Sequence, residues 1–219
     1  MDKSILTKRQ IKFLKLLGED KKLSKIFYLT GGTALAGFYL QHRFSEDLDF
    51  FSSEEFDINT ILIFLKKNKD RLGYKQIDHK NSFNRNIIFL HFDNEILKTE
   101  FTYFPFPVKE LGKLEYGMSI DSILDIAVNK LFTIYERTKA RDYIDLYLII
   151  KNKKYKIEDL IKDARIKFDW HIDLIQLGVQ FLRAEEAEDL PRMVVEVQKK
   201  EWVSFFKEEA KKLKAEIIE

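Results

Sequence analysis

The stretch that most constrains this chain is residues 27–52, FYLTGGTALAGFYLQHRFSEDLDFFS. Phe27, Tyr28 and Leu29 are apolar and β-favouring, which predicts a short buried strand. Gly31 and Gly32 come directly after it. Glycine there allows φ > 0 and lets a ligand approach the main chain closely. Ala34, Leu35, Phe38 and Tyr39 then recur at helical spacing, and Thr33 is placed to cap that helix. A helix start with bare N–H groups suits a phosphate. A tight strand-to-helix turn that binds nothing would carry the same residues, so the glycines alone leave both readings open.

The second part of the stretch narrows the choice. Residues 47–51, DLDFF, predict another strand. Side chains alternate across a strand, so Asp47 and Asp49 share one face while Leu48 and Phe50 face the core. Two neighbouring carboxylates repel each other and suit a strand poorly. A hard divalent cation removes that penalty, because it takes oxygen ligands and is commonly shared with substrate phosphates. The alternative is a solvated strand end.

Gly31-Gly32-Thr33, His42-Arg43, Ser45 and Asp47-Leu48-Asp49-Phe50-Phe51 together resemble the signature of the AbiEii/AbiGii toxin-type nucleotidyltransferases, a branch of the DNA polymerase β superfamily. A second ordered match follows: Lys130, then Arg141-Asp142-Tyr143-Ile144-Asp145-Leu146-Tyr147, similar to the family's lysine and R-D-x-x-D-L-Y element. The two matches span roughly residues 27–150. The resemblance implies an α/β (α+β) protein: a polymerase β-like nucleotidyltransferase core with a mixed sheet over residues 1–118, then a helical domain over 119–219 that completes the active-site cleft. It implies metal binding by Asp47 and Asp49, with Glu100 as a possible third ligand. Gly31, Gly32, Thr33, Arg43, Ser45 and Lys130 would bind the nucleotide, with Asp47, Asp49, Lys130 and Asp142 catalytic. Mg²⁺ or Mn²⁺ is the implied cofactor and an NTP the substrate. The implied acceptor is an RNA hydroxyl such as a tRNA 3′ end, and the implied partner a separate antitoxin. A protein or an aminoglycoside-like small molecule as acceptor, or a nucleotide-binding module without catalysis, are the alternatives.

Composition excludes several other classes. Of 219 residues, 45% are apolar and 34% charged, which marks a globular chain and not a disordered one. There is no cysteine, so disulfide frameworks and thiolate metal sites are ruled out. No apolar run approaches the length of a membrane span, and the first ten residues lack a signal peptide's apolar core. A cytoplasmic protein is the simplest expectation. A formal net charge of +2 permits nucleic acid as a partner without indicating it. No H-E-x-x-H, P-loop or G-x-S-x-G occurs.

Elsewhere the patterns are those of a globular α/β chain. Residues 5–24 predict one or two amphipathic helices. Asp57 caps a helix through Leu65. Apolar runs at 87–92 and 96–104 around Asp93-Asn94-Glu95 predict a hairpin, with an earlier strand near 74–80. On the second hairpin strand Lys98, Glu100 and Thr102 share a face, so Glu100 is either a metal ligand or one half of a Glu–Lys pair. Residues 121–136 and 139–150 predict helices. Lys130 falls at the edge of the first one's apolar stripe, Asp142 on the buried side of the second, and Asp145 on its flank. A buried aspartate needs a partner, for which Lys130 or Arg137 is placed. Three further helices are expected near 157–168, 171–183 and 194–218.

Overall fold

The computed structural model describes residues 5–110 and 112–218 and divides into two compact units. The first comprises Met1–Tyr39, Phe44–Pro107 and Leu111–Ser122; the second comprises Leu40–Arg43, Val108–Glu110 and Ile123–Glu219.

The first unit begins with α1 (Lys8–Glu19) and the short α2 (Leu23–Ile26). β1 (Tyr28–Thr30) follows, then α3 (Gly31–Leu35), which passes into a π-helical turn, Ala36–Leu40. After β2 (Leu48–Ser52) come α4 (Ile58–Lys67) and α5 (Lys69–Leu72), and then β3 (Gln76–Ser82), β4 (Arg85–His91), β5 (Ile96–Tyr103), β6 (Lys113–Glu115) and β7 (Met118–Ile120). The seven strands form one sheet in the order β3-β4-β5-β2-β1-β7-β6. The sheet is mixed: β2 runs parallel to β5 and β1 parallel to β7, and the other neighbours are antiparallel.

Period-two alternation gives this sheet one apolar face. Leu29, Leu48, Phe50, Ile88, Leu90 and Phe101 are fully buried. Phe50 stacks on Phe101 at 4.9 Å and on Phe13 of α1 at 5.8 Å, and Phe13 meets Phe64 of α4 edge-on at 6.2 Å. These helices therefore close the core on that face. The opposite face carries Asp49, Glu100 and Lys98. Among the described residues, no helix is long and apolar enough to cross a membrane.

The second unit is helical: α6 (Ile123–Glu136), α7 (Ala140–Lys153), α8 (Ile157–Phe168), α9 (Leu174–Leu182), a 3-10 turn (Arg183–Glu186) and α10 (Lys199–Ile218). Tyr143, Phe181, Trp202 and Phe206 are fully buried at its centre. The last helix starts later than the apolar pattern predicts. Val194 and Val195 donate instead to the His42 carbonyl at 2.8 and 3.0 Å, and Met193 bridges Arg43. In the segment between the 3-10 turn and α10, Asp189 accepts from Ala140 N at 2.9 Å and so caps α7. Asp125 and Lys167, 2.6 Å apart, form a fully buried ion pair, and Asp125 also accepts from the main chain of Lys109 and Glu110.

Candidate active site

β2 alternates buried and half-buried residues, so Leu48 and Phe50 point into the core while Asp49 lies on the polar face. Asp47, half-buried, stands just before the strand on the same side. The loop that delivers it is pinned from two directions. Thr33 donates to the Asp47 carbonyl, and the Ser45 hydroxyl lies 2.8 Å from the Thr33 hydroxyl. Gln10, 1% exposed, donates to the carbonyls of Ser45 and Glu46 at 2.8 and 3.1 Å. The same Gln10 closes a capping box with Thr7 at the start of α1. Its part in the site carries no sequence signal beyond that box.

The glycine turn sits against the carboxylates. Gly31 has φ +72°, in the left-handed region. A Cβ built there would lie 2.7 Å from Asp49 Oδ2, so only glycine leaves that carboxylate its place. The helix begins at Gly31 with Thr30 as its N-cap residue. This corrects the expectation that Thr33 caps it: Thr33 is already inside the helix, and its hydroxyl holds the 45–47 loop. The Thr30 hydroxyl goes to Asp121 Oδ2 at 2.6 Å. The π turn that follows is invisible in the apolar spacing, although π turns are frequent at functional sites.

β5 lies beside β2 in parallel register, with Asp49 opposite Glu100. Glu100 receives Arg85 Nε and Nη2 at 2.7 and 2.8 Å and the Thr102 hydroxyl at 3.1 Å. Burial pushes the Glu100 carboxyl up, but the Arg85 hydrogen bonds and charge outweigh it and hold the group below the ordinary carboxylate range. Lys98 is not its partner: Lys98 Nζ lies 2.7 Å from Asp47 Oδ2. Among the described residues no three His, Cys, Asp or Glu side chains form a metal-holding group. Asp47 and Asp49 nevertheless suit a divalent cation. They offer oxygen donors on one strand face, one carboxylate fills the space a Cβ at Gly31 would take, and the other already binds a cation, the Lys98 ammonium.

In the second unit Lys130, Asp142, Arg43 and Asp145 come together. Asp142 and Asp145 are three residues apart and so share a face of α7. Asp145 accepts from Arg43 Nε and Nη2 at 2.7 and 2.8 Å, lies 2.8 Å from His42 Nε2 and 2.7 Å from Lys130 Nζ. Asp142 takes Lys130 Nζ at 2.7 Å and Arg137 Nη2 at 3.0 Å. Burial works against both charges, yet the Lys130, Arg43 and His42 groups hold Asp145 well below the usual range, and Lys130 and Arg137 hold Asp142 below it. One expectation is corrected here. Asp145 is not on a flank but at the centre, fully buried, because residues 40–43 pack on the side that periodicity leaves open. The Lys130 side chain is 10% exposed and two of its three N–H donors meet carboxylates.

The chain matches the family described as nucleotidyl transferase AbiEii toxin, Type IV TA system, over residues 15–215. The uncharacterized protein aq_aa25 of Aquifex aeolicus (strain VF5) is 30% identical over 190 residues, 84% of this chain and 86% of that protein. Among solved structures, JHP933 from Helicobacter pylori superposes with a TM-score of 0.60 at 22% identity, covering 94% of this chain and 89% of that one. MenT4, nucleotidyltransferase toxin Rv2826c from Mycobacterium tuberculosis H37Rv, gives 0.57 at 16% identity, covering 94% and 81%. At such identities the structural likeness speaks for the fold, which is polymerase β-like.

Proposed function

The chain belongs to the AbiEii family of nucleotidyl transferase toxins, and from that premise we propose that this nucleotidyltransferase moves a nucleoside monophosphate from an NTP to an RNA hydroxyl, the 3′ end of a tRNA. The observation that carries the reading is the placement of Asp49 against Gly31, beside Asp47. That is a paired-carboxylate strand set on a glycine turn, the arrangement a metal-bound triphosphate needs.

Asp47 and Asp49 would hold Mg²⁺ or Mn²⁺, which would supply Lewis-acid charge at the reacting phosphate. The main-chain N–H groups of Gly31 and Gly32 take the β- and γ-phosphates. Thr33 and Ser45 keep the loop in register, so Asp47 reaches the site at a fixed height. In the second unit Lys130 has one N–H without a partner among the described residues, and Lys130 is the proposed nucleotide-binding lysine. Asp142 and Asp145 aim the ammonium, and Arg43 fixes Asp145. Glu100 in this reading contributes through Arg85 and the field around Asp49. The acceptor hydroxyl gives up its proton to solvent as its oxygen bonds to the α-phosphorus, the bond from that phosphorus to the α–β bridging oxygen breaks, and pyrophosphate leaves. A cognate antitoxin and a cytoplasmic location, where NTPs and tRNA are found, complete the proposal.

The test is transfer of label from each α-³²P-NTP to total tRNA in Mg²⁺, with the Asp47→Ala/Asp49→Ala double variant alongside. Labelled RNA with the wild type, and a drop of about 100-fold or more in the variant, is the expected result. Label in the protein band, or only in an added small-molecule acceptor, would replace RNA as the acceptor.

A further inference from the structure

Building on the reading of Asp47 and Asp49 as a cation site, we propose that Lys98 is the resident counter-ion of that site, and that a divalent ion enters by exchanging with its ammonium. Lys98 comes from β5, the neighbour of β2. The parallel register sets Leu48 beside Thr99 and Asp49 beside Glu100, so Lys98 falls level with Asp47. Its Nζ lies 2.7 Å from Asp47 Oδ2, with the two side chains 30% and 33% exposed.

The charges on this face favour exchange. Two cations on this face differ in how firmly they are held. Arg85 is committed to Glu100 through a two-pronged contact that its planar fork suits. Lys98 is a point charge on a flexible stem with a single carboxylate contact, so it is the cation that can leave. Once it does, Asp47 loses its ion-pair partner and offers its carboxylate oxygens on the face of β2 that carries Asp49, and oxygen donors are what a hard divalent ion takes. Until then Lys98 holds Asp47 in place and relieves its repulsion with Asp49, so the site stands preformed.

The experiment measures Mn²⁺ binding to the full chain without nucleotide, following free Mn²⁺ by electron paramagnetic resonance. Lys98→Met and Lys98→Gln each bind Mn²⁺ about two- to fivefold more tightly than wild type, the scale of a half-exposed ion pair. Lys80→Gln, which removes an exposed cation further across the sheet on β3, leaves affinity unchanged. Asp47→Asn/Asp49→Asn abolishes binding with or without Lys98. Wild-type affinity in both Lys98 variants overturns the exchange, and so does an equal gain in Lys80→Gln, which would reduce the effect to net charge. If neither wild type nor Lys98 variants bind Mn²⁺, the cation reading of Asp47 and Asp49 falls and the exchange with it.

Discussion

Gly31 lacks room for a side chain on two counts. Its φ of +72° strains any L-residue by about 1–3 kcal/mol. Its Cβ would also press on Asp49 Oδ2. Gly31→Ala is therefore expected to fold with reduced stability and to lose nucleotidyl transfer by a larger factor than stability explains, because the carboxylate must move. Thermal melting and tRNA labelling on the same preparation check this; full activity in a folded variant would detach Asp49 from the chemistry. Asp145 is the complementary case, a residue whose loss is felt first in stability. Asp145→Asn keeps the shape but leaves Arg43 and Lys130 buried with one carboxylate fewer between them. A broken buried pair costs about 3–5 kcal/mol, so the urea midpoint should fall well below that of Arg137→Gln, whose side chain is 49% exposed.

At the scale of elements, α1 and the 45–47 loop act together through one side chain. Gln10→Ala removes a capping-box partner and two donors to the loop carbonyls. A loss of about 1–3 kcal/mol is expected, together with weaker transfer, since the Ser45 and Glu46 carbonyls just before Asp47 are released at once. Thr7→Ala should cost about 1 kcal/mol and leave activity near wild type; equal loss of activity in both would show that helix stability, and not the tether, matters. The elements also mark how far the sequence could be read. The D-x-D strand was legible because alternation is a local property, and so was the face that Glu100 shares with Lys98. Their partners were not: Asp47 meets Lys98 through the register of two strands far apart in the chain, and Arg85 reaches Glu100 from a position opposite Thr102, not from the one opposite Glu100. The start of α3 was misplaced because a glycine in the left-handed region can open a helix without a polar cap. The centre of the Asp145 cluster escaped for a related reason. Helical period tells which face of α7 is apolar, but not that residues 40–43 and α6 bury two of its sides.

The whole molecule reports these buried charges through its response to pH. Glu100 in the first unit and Asp142 and Asp145 in the second all have folded-state pKa values below the ordinary carboxylate value. Below about pH 5 the unfolded chain therefore takes up protons that the folded chain refuses, and stability falls with pH. Their contribution is fully present above about pH 5 and is lost progressively as the pH drops through the folded values. Tyr143 works on the other side. Burial raises its phenol to about 12, and its hydroxyl donates to the Gln180 carbonyl at 2.7 Å. That contribution is complete below about pH 10, the unfolded value, and is lost as the pH rises towards the folded one. The urea midpoint should thus form a plateau with one acid and one alkaline shoulder. Asp145→Asn should lower the plateau and flatten the acid shoulder, because the most depressed carboxylate is gone. Tyr143→Phe should flatten only the alkaline one. An acid limb in Asp145→Asn that runs parallel to wild type would mean the cluster does not hold that carboxylate in its charged form, and the network around Lys130 would have to be redrawn.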